Sequence, residues 1–222
     1  MIRPNNQQSL IDYYARRAAE YEQIYHKPER QAELALLRAR LSGAFTGMRV
    51  REIACGTGYW TPCIAQTAAE VLATDINEEV LQIARNKAFS QSHVRFEQGD
   101  MYDPAPPGSP FNALFGGFIW SHIPLGELDT WLHQLCGSLL PGSKVMFLDN
   151  QYVAGSSTPI AHTDDAGNTY QDRRLADGSL HRVLKNFPTD DFLYAQLQSL
   201  TCDIEIYRYT YYWTLTCRTR TK

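Results

Sequence analysis

The stretch VREIACGTGYWT, residues 50–61, decides the fold class of this chain. Its first half has the character of a buried β-strand, and the strand leads into two glycines one residue apart, Gly56 and Gly58. Because glycine has no Cβ, the chain can turn sharply there and a ligand can lie against bare backbone. An α/β sheet binds its ligands in loops of this kind, at the carboxyl ends of its strands, so this loop is the first candidate site.

Two phosphate-binding motifs contain a similar loop, and neither fits. The dinucleotide fingerprint G-x-G-x-x-G needs a third glycine, but Thr61 stands at that position. The Walker loop needs a lysine directly after its last glycine, and residues 50–61 contain none. The loop therefore predicts a ligand other than a pyrophosphate or a nucleoside triphosphate.

Strand-like runs alternate with helical segments along residues 49–148. Such alternation is typical of βαβ units and predicts a parallel sheet with helices on both faces. We predict strands over residues 49–54, 71–74, 94–97, 111–118 and 144–148, and helices over 61–69, 78–88 and 128–139.

The two ends of the chain depart from this alternation. Two helices, over residues 9–25 and 28–41, precede the first strand, so residues 1–45 are expected to form a helical cover. Near the carboxyl end a helix over 189–200 leads to strands over 204–209 and 211–218. The connection between these last two strands is too short for a parallel pairing.

A long polar segment separates the two regions. Residues 151–186 are rich in Gly, Ser, Thr and Asp and are too long for an ordinary connection. Long loops of compact domains are often lids or binding loops, so we expect a substrate-side insertion or lid here.

The bulk composition indicates one globular domain spanning residues 1–222. The chain is 44% hydrophobic and 20% charged with a formal net charge of −3, so it shows no basic surface for nucleic acid. No apolar run approaches the roughly 18–20 residues of a membrane helix, and the five cysteines fit neither a disulfide framework nor a zinc motif. We therefore expect a cytoplasmic protein, monomeric or homodimeric, without metal, membrane or nucleic-acid partners.

Carboxylates follow the second and third predicted strands. Asp75 closes the run VLATD, and Asp100, followed by Met101, closes VRFEQGD. A carboxylate after the second strand can accept hydrogen bonds from both hydroxyls of an adenosine ribose. One after the third can accept from an adenine amino group, while the Met101 backbone N–H bonds a ring nitrogen.

In these features the sequence resembles the class I S-adenosylmethionine-dependent methyltransferases, of the small-molecule type. The resemblance covers most of residues 48–150 and rests on EIACGTG at 52–58, Asp75-Ile76, Gly99-Asp100-Met101 and FNALFGGFIWSHIP at 111–124. It implies an α/β fold with a Rossmann-like, seven-stranded, mostly parallel sheet, an antiparallel C-terminal hairpin and helices on both faces. It also implies S-adenosyl-L-methionine as cofactor, bound by Tyr14, Tyr21, Glu52, Ala54, Gly56, Gly58, Thr61, Asp75, Ile76, Asp100, Met101, Gly117 and Phe118.

Catalysis of methyl transfer rests mainly on positioning, with a general base where the acceptor must lose a proton. His122, which follows the fourth predicted strand, is the candidate base, because an imidazole titrates near neutral pH. The alternative is that His122 has a structural role and only holds this loop in place. Tyr14 is the second catalytic candidate. Tyr14 and Tyr21 share one face of the first helix, where they either cover the cofactor or form a packing face.

The predicted substrate residues are Trp120, Arg173 and His181. Trp120 lies at the mouth of the expected site, and the other two lie in the polar segment 151–186. Arg173 and His181, together with Arg174 and Lys185, suit an acidic or polar acceptor, although a solvated loop would carry similar charges. His162 and His181 are rivals of His122 as the base.

Three functions are compatible with these residues. The first is methyl transfer to an oxygen or nitrogen of a small molecule, and the second is methylation of a protein. The third is a non-catalytic subunit that only binds S-adenosylmethionine. DNA amino-methylation is disfavoured, because GGFI at 116–119 stands where such enzymes carry a D/N-P-P-Y motif.

Overall fold

A mixed sheet crosses the middle of the computed structural model, which describes residues 5–87, 92–103 and 111–221. The helices are α1 (Asn5–Arg17), α2 (Gln31–Ala44), α3 (Thr61–Ala65), α4 (Glu78–Asn86), α5 (Leu128–Gly137) and α6 (Asp190–Leu197). The strands are β1 (Arg49–Ile53), β2 (Glu70–Asp75), β3 (Val94–Gln98), β4 (Ala113–Gly117), β5 (Lys144–Asn150), β6 (His162–Thr163), β7 (Thr169–Arg174), β8 (Leu180–Leu184), β9 (Thr201–Arg208) and β10 (Tyr212–Thr219).

Seven of these strands form the central sheet, in the order β3-β2-β1-β4-β5-β10-β9. Strands β1 to β5 pair in parallel, whereas β10 runs antiparallel to both β5 and β9. This confirms the predicted seven-stranded sheet and its reversed C-terminal hairpin. The strand order reverses between β1 and β4, which is where sheets of this class bind ligands.

Alternating side chains of the sheet form two hydrophobic cores. On β2, Val71 and Ala73 belong to one core and Leu72 to the other. Phe115 and Leu114 of β4 divide in the same way. Because successive side chains of a strand point to opposite faces, the two cores lie on opposite sides of the sheet. Strands buried on both faces therefore carry nearly continuous apolar runs, which is why the sequence reveals them.

The first predicted helix, over residues 9–25, is wrong in its second half. The α-helix ends at Arg17, and residues Ala18–His26 wind as a 3₁₀ helix. Two tyrosine rings of this 3₁₀ helix face the loop after β1. The Tyr21 ring lies next to Gly56, where an added Cβ would be 3.7 Å from it, and Tyr25 stacks on Tyr59 with ring centres 3.7 Å apart.

The polar segment 151–186 is more ordered than a loop. Strands β6, β7 and β8 form a separate antiparallel sheet within it. The Asp177-Gly178 pair between β7 and β8 is a strong hairpin signal, and Gly178 has the positive φ of +86° that such turns need. The polar composition of residues 151–186 alone predicts a loop or lid and does not indicate this hairpin.

The helix predicted over 28–41 begins with a 3₁₀ turn over Pro28–Arg30, and its α-helical part is α2. The other predicted elements differ from the structure in their ends. The helix predicted over 61–69 is α3, which ends at Ala65, and the strand predicted over 111–118 is β4. Helix α4 ends at Asn86, and Ala88, the predicted end, lies outside the described residues. Among the helices in the described ranges, none combines the length and apolar character that a membrane crossing requires.

Candidate functional site

An apolar cavity of about 870 Å³ opens at the carboxyl ends of β1 to β4. The loops after these four strands form its floor, and the N-terminal helical segment covers it. Its lining residues are Leu10, Ile11, Tyr14, Tyr21, Ala54, Gly56, Asp75, Ile76, Asn77, Val80, Gly99, Asp100, Met101, Tyr102, Gly117, Phe118, Ile119 and His122. Ten of the predicted cofactor-binding residues are among them.

The loop after β1 has an unusual backbone. Ala54, Gly56 and Gly58 all have positive φ, at 49°, 56° and 69°, and Phe118 after β4 has a φ of 61°. Glycine adopts this region readily, but alanine and phenylalanine do so only under strain, and such strain clusters at ligand sites. Two strained residues, Ala54 and Phe118, therefore face the same apolar cavity.

Asp75 ties the loops after β1 and β2 together. Its Oδ2 accepts a hydrogen bond from the Gly56 backbone N–H at 2.9 Å, and its Oδ1 accepts one from the Asn77 N–H at 2.9 Å. Burial raises the pKa of the Asp75 carboxyl, and the backbone hydrogen bonds only partly oppose that shift. Each carboxylate oxygen can accept a second hydrogen bond, so Asp75 can hold the loop and still accept from a ligand hydroxyl.

Three of the predicted cofactor-binding residues do not line this cavity. Glu52 and Thr61 are buried beneath the loop at 1% and 0% exposure. A Cβ on Gly58 would meet the Ala84 Cβ at 3.1 Å, so Gly58 allows α4 to pack closely on the loop. All three residues therefore lie outside the cavity lining, within or beneath the loop that forms its floor.

Two of the three predicted substrate residues also lie elsewhere. Trp120 belongs to a hydrophobic core, where it packs against Trp131, Phe147 and Trp213, because it turns inward after β4. His181 packs on the buried ring of Tyr13 and lines neither cavity.

A second, polar cavity of about 1190 Å³ adjoins the first. Helix α1, the segment after it, β5 and its following loop, and the β6–β8 sheet supply its walls. The third predicted substrate residue, Arg173, lines it together with Lys185. Six lysine and arginine side chains and two carboxylates line this cavity: Arg17, Lys27, Arg30, Arg173, Arg174, Lys185, Glu20 and Asp172.

Four residues belong to both cavities and form the wall between them: Tyr14, Tyr21, Phe118 and His122. The Tyr14 hydroxyl and Nε2 of His122 lie 2.8 Å apart. Nδ1 of His122 lies 2.6 Å from the Leu184 carbonyl oxygen, which can only accept. Nδ1 therefore carries the proton, Nε2 has a free lone pair, and the Tyr14 hydroxyl donates to it.

The surroundings of His122 keep its ring neutral. Burial lowers the pKa of His122 well below its usual range, and the nearby Lys185 ammonium lowers it further. Lys185 is itself buried, with its Nζ 2.9 Å from the Asp149 carboxylate and 2.6 Å from the Ser121 hydroxyl. The Lys185–Asp149 ion pair keeps a positive charge beside the imidazole, which disfavours a second positive charge on the ring. Nε2 of His122 therefore stays unprotonated, and able to accept a proton, at neutral pH.

The β6–β8 sheet is attached to the turn that carries His122. The Asn186 backbone N–H donates to the Ser121 carbonyl at 2.8 Å, and its side chain donates to the Ile123 carbonyl at 3.2 Å. Asn168 accepts from the Leu125 N–H at 2.8 Å. The small sheet thus fixes the position of the turn from the side of the polar cavity.

Sequence reasoning missed several residues of both cavities. Asn77 and Tyr102 stand two residues after Asp75 and Asp100, so the same motif could have predicted that they line the apolar cavity. Leu10 and Ile11 lie on the same helix as Tyr14. Arg30 had no such signal, because it reaches the polar cavity only through the path of the chain after the 3₁₀ segment.

Comparison with known proteins gives matches of sequence and of fold. Residues 50–142 match the family model described as a methyltransferase domain. Over 101 residues the chain is 37% identical to the magnesium-protoporphyrin O-methyltransferase of Rhodobacter capsulatus, a match that covers 44% of this chain and 45% of that protein. The chain thus spans about half the length of the curated relatives it matches.

Two solved structures match almost the whole chain. A DhpI-SAM-HEP complex is 25% identical with a TM-score of 0.79, over 98% of this chain and 100% of that one. A DhpI-SAH complex is 26% identical with a TM-score of 0.77, over 97% of both chains. The fold of the central sheet and of the segments around it is therefore shared along the full length.

Proposed function

We propose that this chain, whose residues 50–142 match a model of a methyltransferase domain, is a class I S-adenosylmethionine-dependent methyltransferase that transfers a methyl group from that cofactor to an oxygen or nitrogen of a small molecule. One observation carries the proposal: an apolar cavity and a polar cavity share a wall formed by Tyr14, Tyr21, Phe118 and His122. A methyl donor and an acceptor on the two sides of this wall would meet there.

The apolar cavity suits S-adenosylmethionine by its chemistry. Asp75 and Asp100 place carboxylates for the ribose hydroxyls and the adenine amino group. Ile76, Val80 and Met101 supply apolar surface for a flat aromatic base. Gly56 leaves room beside the backbone, where a Cβ would approach the Tyr21 ring. The solved relatives in complex with SAM and SAH support the same assignment.

Bound S-adenosylmethionine would supply an electrophilic methyl group on a sulfonium sulfur, with the neutral thioether as the leaving group. The residues of this chain position the acceptor and remove its proton. Tyr14 donates to Nε2 of His122, so its oxygen can take a proton from an acceptor as its own passes to the imidazole. The covering segment keeps water out of the site.

The two covering elements have separate roles in this proposal. The N-terminal segment through the 3₁₀ helix closes over the cofactor, since Leu10, Tyr14 and Tyr21 line the apolar cavity. The β6–β8 sheet forms the acceptor wall, since Gln171 and Arg173 line the polar one. Both cavities lie beneath these elements, which favours a small acceptor over a protein segment.

Calorimetry and product analysis test the proposal. We expect S-adenosylhomocysteine to bind with a sub-millimolar Kd and S-adenosylmethionine bearing a labelled methyl group to label a small-molecule product. Failure to bind either compound at that concentration contradicts the proposal. Binding without labelled product across a broad panel of acceptors favours a non-catalytic, cofactor-binding subunit, and labelling of protein alone favours a protein methyltransferase.

A further inference from the structure

The polar cavity has an excess of positive charge that its own side chains do not neutralise. Of its two carboxylates, Asp172 pairs with Arg182 at 2.9 Å, and Glu20, which accepts from the Ala176 backbone N–H at 3.3 Å, can offset at most one of the cations. Lys185 has a carboxylate partner in Asp149. Lys27, which donates to the Ser156 carbonyl, and the four arginines therefore leave the cavity with a net positive charge.

All four arginines have only neutral partners, but Arg174 is exposed and donates to the Gly178 carbonyl, whereas Arg17, Arg30 and Arg173 are at least half-buried. Arg173 donates to the Gln171 side-chain oxygen at 2.7 Å. Arg30, at 6% exposure, donates to the hydroxyl of Ser156 at 2.9 Å and to the amide oxygen of Asn150 at 3.3 Å. The third, Arg17, lies over the rings of Tyr13 and Tyr21 at 5.7 and 5.6 Å.

None of the three forms an ion pair with a carboxylate in the part of the chain that the structure describes. Withdrawing a cation from water without a counter-charge is costly, and a buried charge is normally paired. Around this one cavity Arg30 is buried, and Arg17 and Arg173 are partly buried, all without a carboxylate partner among the described residues. An anion from outside the chain would supply the missing charge.

The position of these cations links the anion to the methyl acceptor. Arg173 lies beside the Tyr14 hydroxyl: burial raises the pKa of Tyr14, and the nearby Arg173 guanidinium opposes that rise. Arg17 lies over the Tyr21 ring. Tyr14 and Tyr21 both belong to the wall between the cavities, so a group held by the arginines would lie beside the place of transfer.

Arginine also indicates the class of anion. Its planar guanidinium presents paired N–H groups that match two oxygens of one carboxylate or phosphoryl group, which a point charge such as chloride does not. We propose that the polar cavity binds the methyl acceptor through an oxyanion group, phosphoryl or carboxyl, held by Arg17, Arg30 and Arg173. This inference rests on the proposed function, because the cavity is an acceptor site only if the apolar one holds the cofactor.

Oxyanion binding to the protein saturated with S-adenosylhomocysteine tests the inference. Inorganic phosphate, methylphosphonate and acetate are titrated by calorimetry at constant ionic strength set by sodium chloride, with glycerol as the neutral probe. We expect at least one oxyanion to bind with a millimolar or tighter Kd, and glycerol not to bind. Tighter binding of phosphate and methylphosphonate assigns a phosphoryl group, and tighter binding of acetate assigns a carboxyl group. Binding of none of the three oxyanions overturns the inference.

Neighbouring arginines of α1 provide a matched pair of variants. Arg17→Gln should raise the oxyanion Kd by at least about tenfold, since it removes a charge-assisted bond. Arg16→Gln makes the same change of charge at an exposed residue that lines neither cavity, and should leave the Kd unchanged. Arg173→Gln should act like Arg17→Gln from the other wall. Equal Kd values in all three variants would mean that the anion binds elsewhere, which overturns the inference.

The affinity for S-adenosylhomocysteine separates this inference from the proposed function. If wild-type protein does not bind S-adenosylhomocysteine, the proposed function fails and the acceptor site fails with it. If it binds S-adenosylhomocysteine but no oxyanion, only the present inference fails. Retained cofactor affinity in Arg173→Gln also shows that this variant is folded, so that a lost oxyanion affinity reports on the cavity itself.

Discussion

The hydroxyl of Tyr14 and Nε2 of His122 lie 2.8 Å apart, although 108 positions separate the two residues in the chain. The Leu184 carbonyl accepts from the other ring nitrogen, so the tyrosine must donate. The neutral imidazole directs its free lone pair at the phenol. Together the two side chains can accept a proton from a third group, which passes to the phenol oxygen as the phenol proton passes to the imidazole.

Removal of either member of the pair should slow turnover. We expect Tyr14→Phe and His122→Ala each to lower kcat by about 100- to 10,000-fold, the usual contribution of a general base. The double variant should be little slower than either single variant, because both act in one proton path. Single-turnover measurements with a labelled methyl group check this, and an unchanged kcat in His122→Ala would leave the residue a structural role.

The pH dependence of kcat should follow the lowered pKa of His122. Because burial and Lys185 oppose protonation, the base stays neutral at pH 7, and the rate should fall only well below pH 6.5. The acid limb of the profile should disappear in His122→Ala. A limb that survives the substitution would assign the titration to another group.

Asp75→Ala should weaken cofactor binding. Loss of a charge-assisted pair of bonds corresponds to about 2–4 kcal/mol, or roughly 30- to 900-fold in the Kd for S-adenosylhomocysteine. Asp129→Ala removes the same charge from an exposed position on α5 and serves as the control. Equal affinities in the two variants would exclude Asp75 from the cofactor site.

Glu52 should make the cofactor-free protein less stable as the pH rises. Burial raises its pKa to about 8, and the Asp75 carboxylate adds to the shift. Between the unfolded value near 4.5 and the folded value, the native state holds one proton more than the unfolded state. The free energy of unfolding should therefore fall by about 1.4 kcal/mol per pH unit from pH 5 to 7.5, relative to Glu52→Gln. Denaturant unfolding of both proteins measures this difference, and parallel curves would contradict it.

Gly58→Ala and Gly43→Ala should change stability in opposite directions. Alanine at 58 must adopt a φ of +69° and place its Cβ 3.1 Å from that of Ala84. We expect a loss of about 1–3 kcal/mol from the backbone conformation alone. Gly43 lies in α2, with nothing within 4 Å of an added Cβ, so alanine there should stabilise the fold by up to about 1 kcal/mol. Denaturant midpoints compare the two, and equal midpoints would show that the loop tolerates a side chain.

The central sheet was predictable because its chemistry is local. Strands β2, β4 and β5 are buried on both faces and contain apolar runs, whereas β1, which carries the buried Arg51 and Glu52, is identified by the glycine loop after it. The motif residues Gly56, Asp75 and Asp100 lie at or after strand ends, in order. These three line one cavity, as their shared edge of the sheet requires.

The polar cavity was only partly predictable, since it depends on distant parts of the chain. Arg17 and Arg173 are brought to it by α1 and by β7, and no pattern within either segment shows that they meet. Trp120 was misplaced for a related reason. Its position after β4 suggested the mouth of the site, but the 3₁₀ turn over Trp120–His122 directs the tryptophan into the core and the histidine into the wall.

The bond from Nδ1 of His122 to Leu184 gives the small sheet two tasks at once. The carbonyl that fixes the tautomer of the imidazole ends β8, and the paired strand β7 carries Arg173, which lines the polar cavity. A redesign of residues 151–186 that moves the end of β8 would therefore disturb the imidazole together with the cavity wall. Point substitutions on β7 would change the wall and leave the Leu184 carbonyl in place.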